Sequence, residues 1–158
     1  MQKITPFLWF DNQAEEAMKF YTSVFPHSRV KEERRYPPGA PHDMGGRLMS
    51  CTFELEGQEF IALNAGPAFR FNEAISFFVR CETQEEVDHY WSALTAGGGQ
   101  ESQCGWLKDQ YGLSWQIVPN ALGELMGSSD SAAAARVMQA MLQMKKIDIA
   151  QLRAAYAG

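Results

Sequence analysis

The sequence has 158 residues, of which 46% are hydrophobic and 12% are aromatic. This supports one well-packed core, or two smaller halves that share an interface. The net charge of −5 and the pI of about 5.2 exclude a protein that binds the phosphate backbone of nucleic acids. No apolar run approaches the roughly 18 residues that would span a bilayer, and the N-terminus lacks the apolar segment of a signal peptide. We therefore expect a cytoplasmic protein with no nucleic-acid partner and no membrane partner.

The first half of the chain predicts a strand, a helix and then three strands. Asn12 is placed to cap the helix, and Glu15, three residues later, can reach back to the backbone N–H of the cap. A proline-rich loop over residues 37–41 separates two of the strands, and Glu56 with Gly57 forms a hairpin turn between the last two. The predicted strands span residues 4–10, 28–36, 47–56 and 58–64, and the helix spans residues 13–24.

The second half repeats this pattern. Thr83 and Glu86 form a capping box at the start of a second amphipathic helix, and a run of three glycines at residues 97–99 ends it. The predicted strands span residues 74–79, 101–104, 106–109 and 114–118. Both helices carry the pattern Glu-Glu-apolar-x-x-aromatic-aromatic, at residues 15–21 and 85–91. Two tandem modules account for this repeat, and chance similarity between two amphipathic helices is the alternative.

The predicted domains are the paired modules at residues 1–119, divided at about 1–68 and 69–119, and a C-terminal helical extension at residues 120–158. Within the extension, the apolar spacing predicts a helix over residues 132–144. Asp148 is placed to cap a second helix that continues to Tyr156. The methionines of the helix at residues 132–144 suit a partner groove or a flexible pocket edge. We favour docking of this helix on the sheets or on a second subunit.

Several segments resemble the PhnB-like branch of the vicinal oxygen chelate superfamily, which includes glyoxalase I, bleomycin-resistance proteins and extradiol dioxygenases. The branch is often labelled 3-demethylubiquinone 3-methyltransferase. The matching segments are Ile-Thr-Pro-Phe-Leu-Trp-Phe-Asp at residues 4–11, Ala-Glu-Glu-Ala at 14–17, Phe-Tyr at 20–21, the strand at 74–79, Gly-Trp at 105–106, Gln-Ile-Val-Pro at 116–119 and the tail at 138–156. The resemblance implies an α+β fold of two tandem βαβββ modules, whose curled mixed sheets enclose a concave pocket.

Enzymes of this superfamily bind a divalent metal through His, Glu or Gln on the first and last strands of each module. The first strands here contain no His, Asp or Glu, and the last strands offer only the amides Asn64 and Gln116. The three histidines, His27, His42 and His89, lie elsewhere. Because hard cations favour carboxylates and zinc favours His or Cys, we predict no metal site and no cofactor.

Aromatic and polar side chains on the predicted strands form the candidate ligand pocket. Its residues are Thr5, Phe7, Trp9, Asn64, Ser76, Phe78, Trp106, Trp115 and Gln116. The alternative is that the aromatic residues fill the core while the polar groups pair with one another or with the backbone. No catalytic residue stands out. Cys51, Cys81 and Cys104 show no Cys-x-x-Cys spacing, and the candidate nucleophiles Cys81 and Cys104 have no His nearby in sequence.

The sequence therefore favours a small-molecule-binding protein that works as a homodimer and takes an aromatic or quinone-like ligand. Whether it is an enzyme stays open. The alternatives are an enzyme of the same superfamily, either a metal-dependent lyase or dioxygenase or the labelled methyltransferase, and a structural interaction module with a filled barrel.

Overall fold

The computed structural model describes residues 2–158. The chain forms two compact units that divide between Arg70 and Phe71. Both units have the same order of elements, a strand, a helix and three strands, and each forms a four-stranded mixed sheet. The predicted α+β fold with two tandem βαβββ modules is thereby confirmed.

The first unit contains a sheet with strand order β1-β4-β3-β2, in which β1 runs parallel to β4 and the other pairs are antiparallel. The elements are β1 Phe7–Phe10, α1 Ala14–Val24, β2 Ser28–Arg35, β3 Leu48–Leu55 and β4 Gln58–Asn64. β1 is shorter than predicted. Pro6 accepts a hydrogen bond from the Ile61 N–H at 3.0 Å, but it has no N–H of its own to donate to a ladder.

One face of this sheet packs against α1. Alternate strand residues point to that face, so Phe53 and Phe60 are buried with Met18 and Tyr21 of the helix. The ring of Phe53 stacks between those of Tyr21 and Phe60, with centroids 6.3 Å and 5.6 Å away. The predicted hairpin at Glu56 and Gly57 is confirmed, since both residues have positive φ angles of 49° and 83°, as a type I′ turn requires.

The second unit contains a sheet with strand order β5-β8-β7-β6, again with its first and last strands parallel. The elements are β5 Ser76–Cys81, α2 Gln84–Thr95, β6 Gln100–Glu101, β7 Trp106–Lys108 and β8 Ser114–Pro119. Thr83 Oγ1 accepts a hydrogen bond from the Glu86 N–H at 3.2 Å, as predicted. The reciprocal bond of the capping box differs, because the Glu86 carboxylate accepts from the N–H of Glu82.

Three helices follow the second sheet and pack together within the second unit, namely α3 Asn120–Met126, α4 Ser131–Leu142 and α5 Ile149–Ala157. Their shared core is formed by Leu122, Val137, Met144, Ile147 and Leu152. The predicted cap at Asp148 is confirmed, since its side chain accepts from the Gln151 N–H at 3.0 Å. Across residues 2–158 there is no helix long and apolar enough to cross a membrane.

Candidate functional site

The clearest candidate site lies on the face of the second sheet that is turned away from α2. On the helix side, Leu107, Trp115 and Ile117 are almost completely buried, and α2 packs against their strands. Phe78, Gln116 and Trp106 form one row across three neighbouring strands, because Gln116 is the register partner of both aromatic residues. Partners in register point to the same face, so an amide stands between two aromatic rings.

Gln116 is held by one hydrogen bond. Its Nε2 donates to Ser76 Oγ at 2.9 Å, so these two residues pair with one another, which is the alternative that the sequence left open. The amide has two N–H groups and an acceptor oxygen, so one N–H and Oε1 remain for another molecule. Gln116 and Trp106 are half-buried, while Phe78 is 49% exposed, so the row is accessible to solvent.

These side chains open into a cleft of about 770 Å³, which we call the β8 cleft. Its walls are formed by Phe78, Arg80, Cys104, Trp106, Gln116, Val118 and Pro119 from the sheet, and by residues of α3 and α4, including Leu122, Met126 and Met141. The Arg80 guanidinium lies over the Phe78 ring, with its carbon 5.2 Å from the ring centroid. The volume falls within the range of small-molecule sites, and the walls combine apolar surface with few polar groups.

Trp115 does not line the β8 cleft. It lies on the opposite face of the same strand, is 2% exposed and donates its Nε1–H to Asp109 Oδ2 at 2.9 Å. The other carboxylate oxygen of Asp109 accepts from the N–H groups of Tyr111 and Leu113. Consecutive strand residues point in opposite directions, so the alternation in the sequence already separates Trp115 from Gln116.

Ser114 lies on the same face as Gln116, in a smaller cavity of about 200 Å³ lined also by Glu73, Trp106 and Lys108. Lys108 and Glu73 form an ion pair. The Ser114 side chain is 1% exposed, and its hydroxyl has no hydrogen-bond partner within residues 2–158. This buried polar group was not identified from the sequence.

In the first unit, the sheet face turned away from α1 carries Phe7 and Trp9. The row that matches Phe78, Gln116 and Trp106 consists here of Phe7, Ile61 and Thr52. An isoleucine therefore occupies the position of the amide. Thr5 precedes the strand, and Thr5 Oγ1 accepts from Gln2 Nε2 at 3.4 Å.

Trp9 makes two contacts that hold its indole. It donates its Nε1–H to the Gly66 carbonyl at 2.9 Å, and its ring meets Phe69 edge-on, with centroids 4.8 Å apart. Phe7 is 57% exposed. This face is thus more apolar than the corresponding face of the second unit.

Asn64 lies on the other face of β4, towards α1. Its Oδ1 accepts from the Ala14 N–H at 2.8 Å, and its Nδ2 donates to the Leu48 carbonyl at 3.1 Å. Asn64 therefore caps α1 from another strand. The predicted cap at Asn12 is wrong, because the helix has no side-chain cap from the residue before it and begins after Gln13.

The first unit also has a cleft of about 980 Å³ beside the start of α1, lined in part by Glu15, Arg35, Tyr36, His42 and Arg47. The Arg35 guanidinium hydrogen-bonds the Glu15 carboxylate at 2.9 Å and lowers the pKa of Glu15. The Tyr36 hydroxyl donates to the Asn64 carbonyl at 2.6 Å. The sequence indicated a loop here but no cleft.

The residues at the superfamily's metal positions do not fit a metal. Asn64 points towards the helix with its amide used by the fold, and in the second unit the strand positions supply Gln116, Ser76 and Phe78. Nowhere in the described part of the chain do three His, Cys, Asp or Glu side chains converge. A lone amide with a hydroxyl is a weak donor set for any divalent cation.

The glycine run does not fit the methyl donor that the methyltransferase label implies. Gly97 to Gly99 follow α2 and lead into β6, so their N–H groups do not form the start of a helix that could cradle a charged ligand. A Cβ on Gly99 would lie 2.7 Å from the Thr95 carbonyl and 2.8 Å from that of Lys108. Gly99 is therefore required by the close packing of the chain on itself.

The cysteines differ in their surroundings. Burial raises the pKa of the Cys51 thiol to about 12, with a further contribution from Glu33, and burial likewise raises that of Cys81 to about 12. Thiolates are the reactive form of cysteine, so neither residue suits a nucleophile. Cys104 is half-buried in the wall of the β8 cleft.

The family comparison covers most of the chain. Residues 2–118 match the sequence model of the 3-demethylubiquinone-9 3-methyltransferase family. A PhnB protein from Bacillus cereus, described as a 3-demethylubiquinone-9 3-methyltransferase, is 39% identical. The match covers 75% of this chain and 99% of that one, with a TM-score of 0.69.

More distant structures share the fold alone. A protein from Pseudomonas aeruginosa is 17% identical over 75% of this chain and 98% of its own, with a TM-score of 0.62. The fosfomycin resistance protein FosX from Listeria monocytogenes is 12% identical over 78% of this chain and 97% of its own, with a TM-score of 0.54. No functionally curated protein matches the sequence. The chain belongs to the 3-demethylubiquinone-9 3-methyltransferase family.

Proposed function

We propose that this protein binds a small aromatic or quinone-like molecule in the β8 cleft. The observation that carries the proposal is the row of Phe78, Gln116 and Trp106, in which a half-buried amide stands between two accessible aromatic side chains. A flat ring can pack against the aromatic walls while a polar substituent meets the amide. This arrangement combines apolar contact area with a single orienting group, as small-molecule sites do.

The chemistry of Gln116 supports a ligand that carries a phenol or a carbonyl group. With one N–H directed to Ser76, the amide keeps an acceptor for a phenol hydroxyl and a donor for a carbonyl oxygen. The family description names a demethylubiquinone, whose ring carries both kinds of oxygen. No arrangement of residues 2–158 favours methyl transfer over binding, so we propose binding alone.

Calorimetry with two probes tests the proposal. Duroquinone presents two carbonyl groups on a fully substituted ring, which leaves no free ring carbon for Cys104 to attack, and 4-hydroxybenzoate presents a phenol. We expect wild-type protein to bind at least one of them. Replacing Gln116 with Leu should weaken that binding roughly tenfold, because an unpaired polar group in a site costs about 1–3 kcal/mol and 1.4 kcal/mol is a decade in affinity.

The matched control is Gln139→Leu, the same substitution at an exposed position of α4. It should bind as the wild type does. If wild-type protein binds neither probe, the proposed function is wrong. If Gln116→Leu binds as tightly as Gln139→Leu, the ligand lies elsewhere.

We also propose that the protein works as a homodimer in the cytoplasm. The edge strands carry exposed apolar side chains, among them Phe7 at 57% and Val30 at 43%, and Ile75 beside β5 is 69% exposed. Open sheet edges with apolar residues favour pairing, and three free cysteines suit a reducing compartment. Sedimentation equilibrium giving the monomer mass at every concentration would contradict the dimer.

A further inference from the structure

We infer that the C-terminal helices determine which ligands the β8 cleft accepts, by adding an apolar wall that selects a ring carrying a flexible apolar chain. This inference rests on the proposed function. The wall consists of Leu122 and Met126 from α3 and Met141 from α4, all of which line the same cleft as Gln116. The ring would meet the sheet residues, and its chain would extend along the methionines.

The helices can form such a wall because they are fixed to the second sheet. The N–H groups of Cys104 and Gly105 donate to the Met144 and Lys145 carbonyls, both at 2.8 Å. Gly105 permits this close approach, since a Cβ there would lie 2.9 Å from the Ile117 carbonyl and 3.2 Å from Ile147. The segment between α4 and α5 is thereby attached directly to the start of β7.

A second attachment holds the start of α5. Gln84, the first residue of α2, donates its Nε2–H to the Ile147 carbonyl at 3.0 Å and accepts from the Ile149 N–H at 2.8 Å. Lys146 forms an ion pair with Asp88 at 2.7 Å. Val137, Ile147 and Leu152 are completely buried, so the three helices have a packed core of their own.

The side chains of the wall suit an apolar, adaptable partner. Leu122 is 8% exposed, and Met126 and Met141 are half-buried and line the cleft. Methionine is unbranched and polarisable, and it adjusts its shape to the molecule it contacts. A flexible chain of methylene groups matches these properties better than a polar substituent does.

The wall lies outside the residues that match the family model. The family match ends at Val118, one residue before the end of β8. The match with the Bacillus cereus protein covers 99% of that protein and 75% of this chain, so about a quarter of this chain lies outside that match. A cleft bounded by the sheet alone would lack Leu122, Met126 and Met141.

A homologous series of ligands tests the inference, namely the alkyl esters of 4-hydroxybenzoate from methyl to hexyl, measured by calorimetry. All members share the same phenol ring and differ only in chain length. Burying a methylene group completely is worth about fourfold in affinity, so we expect the dissociation constant of wild-type protein to fall about threefold per added methylene. The methyl ester measures the ring contact that the proposed function requires.

Two variants locate the effect. Met141→Lys should reduce the gain to less than about 1.5-fold per methylene, because a charge cannot replace the apolar contact. Met138→Lys is the matched control on the same helix, at a residue that is 45% exposed and outside the cleft lining. It should keep the full gain. Met141→Ala provides a milder truncation that should reduce the gain should the lysine variant fail to fold.

The outcomes are distinguishable. If the methyl ester and duroquinone both fail to bind wild-type protein, the proposed function is wrong and the inference falls with it. If the methyl ester binds but chain length has no effect, only the inference is overturned. It is overturned equally if Met141→Lys, or its alanine counterpart, keeps the wild-type gain per methylene.

Discussion

Because Asn64 caps α1, its replacement should lower the stability of the folded protein. Replacing Asn64 with Ala removes the acceptor for the Ala14 N–H and the donor to the Leu48 carbonyl. Ala14 is 0% exposed and Leu48 is 2% exposed, so water cannot take the place of the amide without opening the structure. Both backbone groups would be left buried without these partners.

The size of the effect follows from these contacts. Leaving a buried polar group unsatisfied costs about 1–3 kcal/mol, and removing a helix cap alone costs about 1 kcal/mol. Because the Leu48 carbonyl has a second lone pair for other partners, we expect the free energy of unfolding to fall by about 3 kcal/mol in total. For a protein of this length, each 1 kcal/mol corresponds to about 2–4 °C in Tm, so the midpoint should fall by about 6–12 °C.

Urea denaturation followed by circular dichroism measures the loss, and calorimetry measures the change in Tm. The control is Asn12→Ala at the position that the sequence indicated as the cap. Asn12 is exposed and makes no side-chain hydrogen bond within the described residues, so its replacement should change the free energy by less than about 0.5 kcal/mol.

If Asn64 is the cap of α1, Asn64→Ala should lose more free energy of unfolding than Asn12→Ala. Hydrogen exchange of the Ala14 amide should also become faster in Asn64→Ala alone, since only that variant removes its acceptor. A loss below 1 kcal/mol for Asn64→Ala, or an equal loss for Asn12→Ala, would refute the assignment of Asn64 as the cap.

Three further predictions concern glycine, cysteine and glutamine positions. Gly105→Ala should lower the free energy of unfolding by about 3 kcal/mol, because the new Cβ meets close neighbours and the backbone has a φ of 84°. Gly112→Ala has a similar φ of 86° but nothing within 4 Å of the new Cβ, so it should lower that free energy by only about 1–2 kcal/mol. Urea denaturation measures both losses. Iodoacetamide at about pH 8 should label Cys104 in native protein. Burial raises the pKa of Cys51 to about 12, so Cys51 should react only after unfolding. Above about pH 9 the unfolded thiol loses a proton that the folded protein still holds. The free energy of unfolding should therefore decline as the pH rises above about 9. Gln84→Leu should accelerate hydrogen exchange in α5 roughly thirtyfold, since it removes two hydrogen bonds of about 1 kcal/mol each. Unchanged exchange would show that these two hydrogen bonds contribute nothing.

Features that depend on neighbouring residues were determined by the sequence alone. The Thr83 cap, the Asp148 cap and the hairpin at Glu56 and Gly57 each involve groups within four residues of one another, so propensity and spacing suffice to place them. The repeat of the helix pattern also predicted the order of elements along the chain in both modules. The sequence placed Gln116 and Ser76 in one pocket and left open that they pair with one another, as they do through a hydrogen bond.

Other features were decided by the tertiary structure. The sequence indicated Asn12 as the cap of α1, but Asn64 reaches the helix from a strand fifty residues later. The alternation along β8 separates Trp115 from Gln116, but only the docking of α2 made the Trp115 face the core side, where Asp109 accepts the Trp115 N–H. The wall that Met141 adds to the β8 cleft depends on where the last helices dock. The physical reason is common to all three cases: a side chain's distant partner is set by the register of strands and the docking of helices, and the residues next to it in sequence do not contain that information.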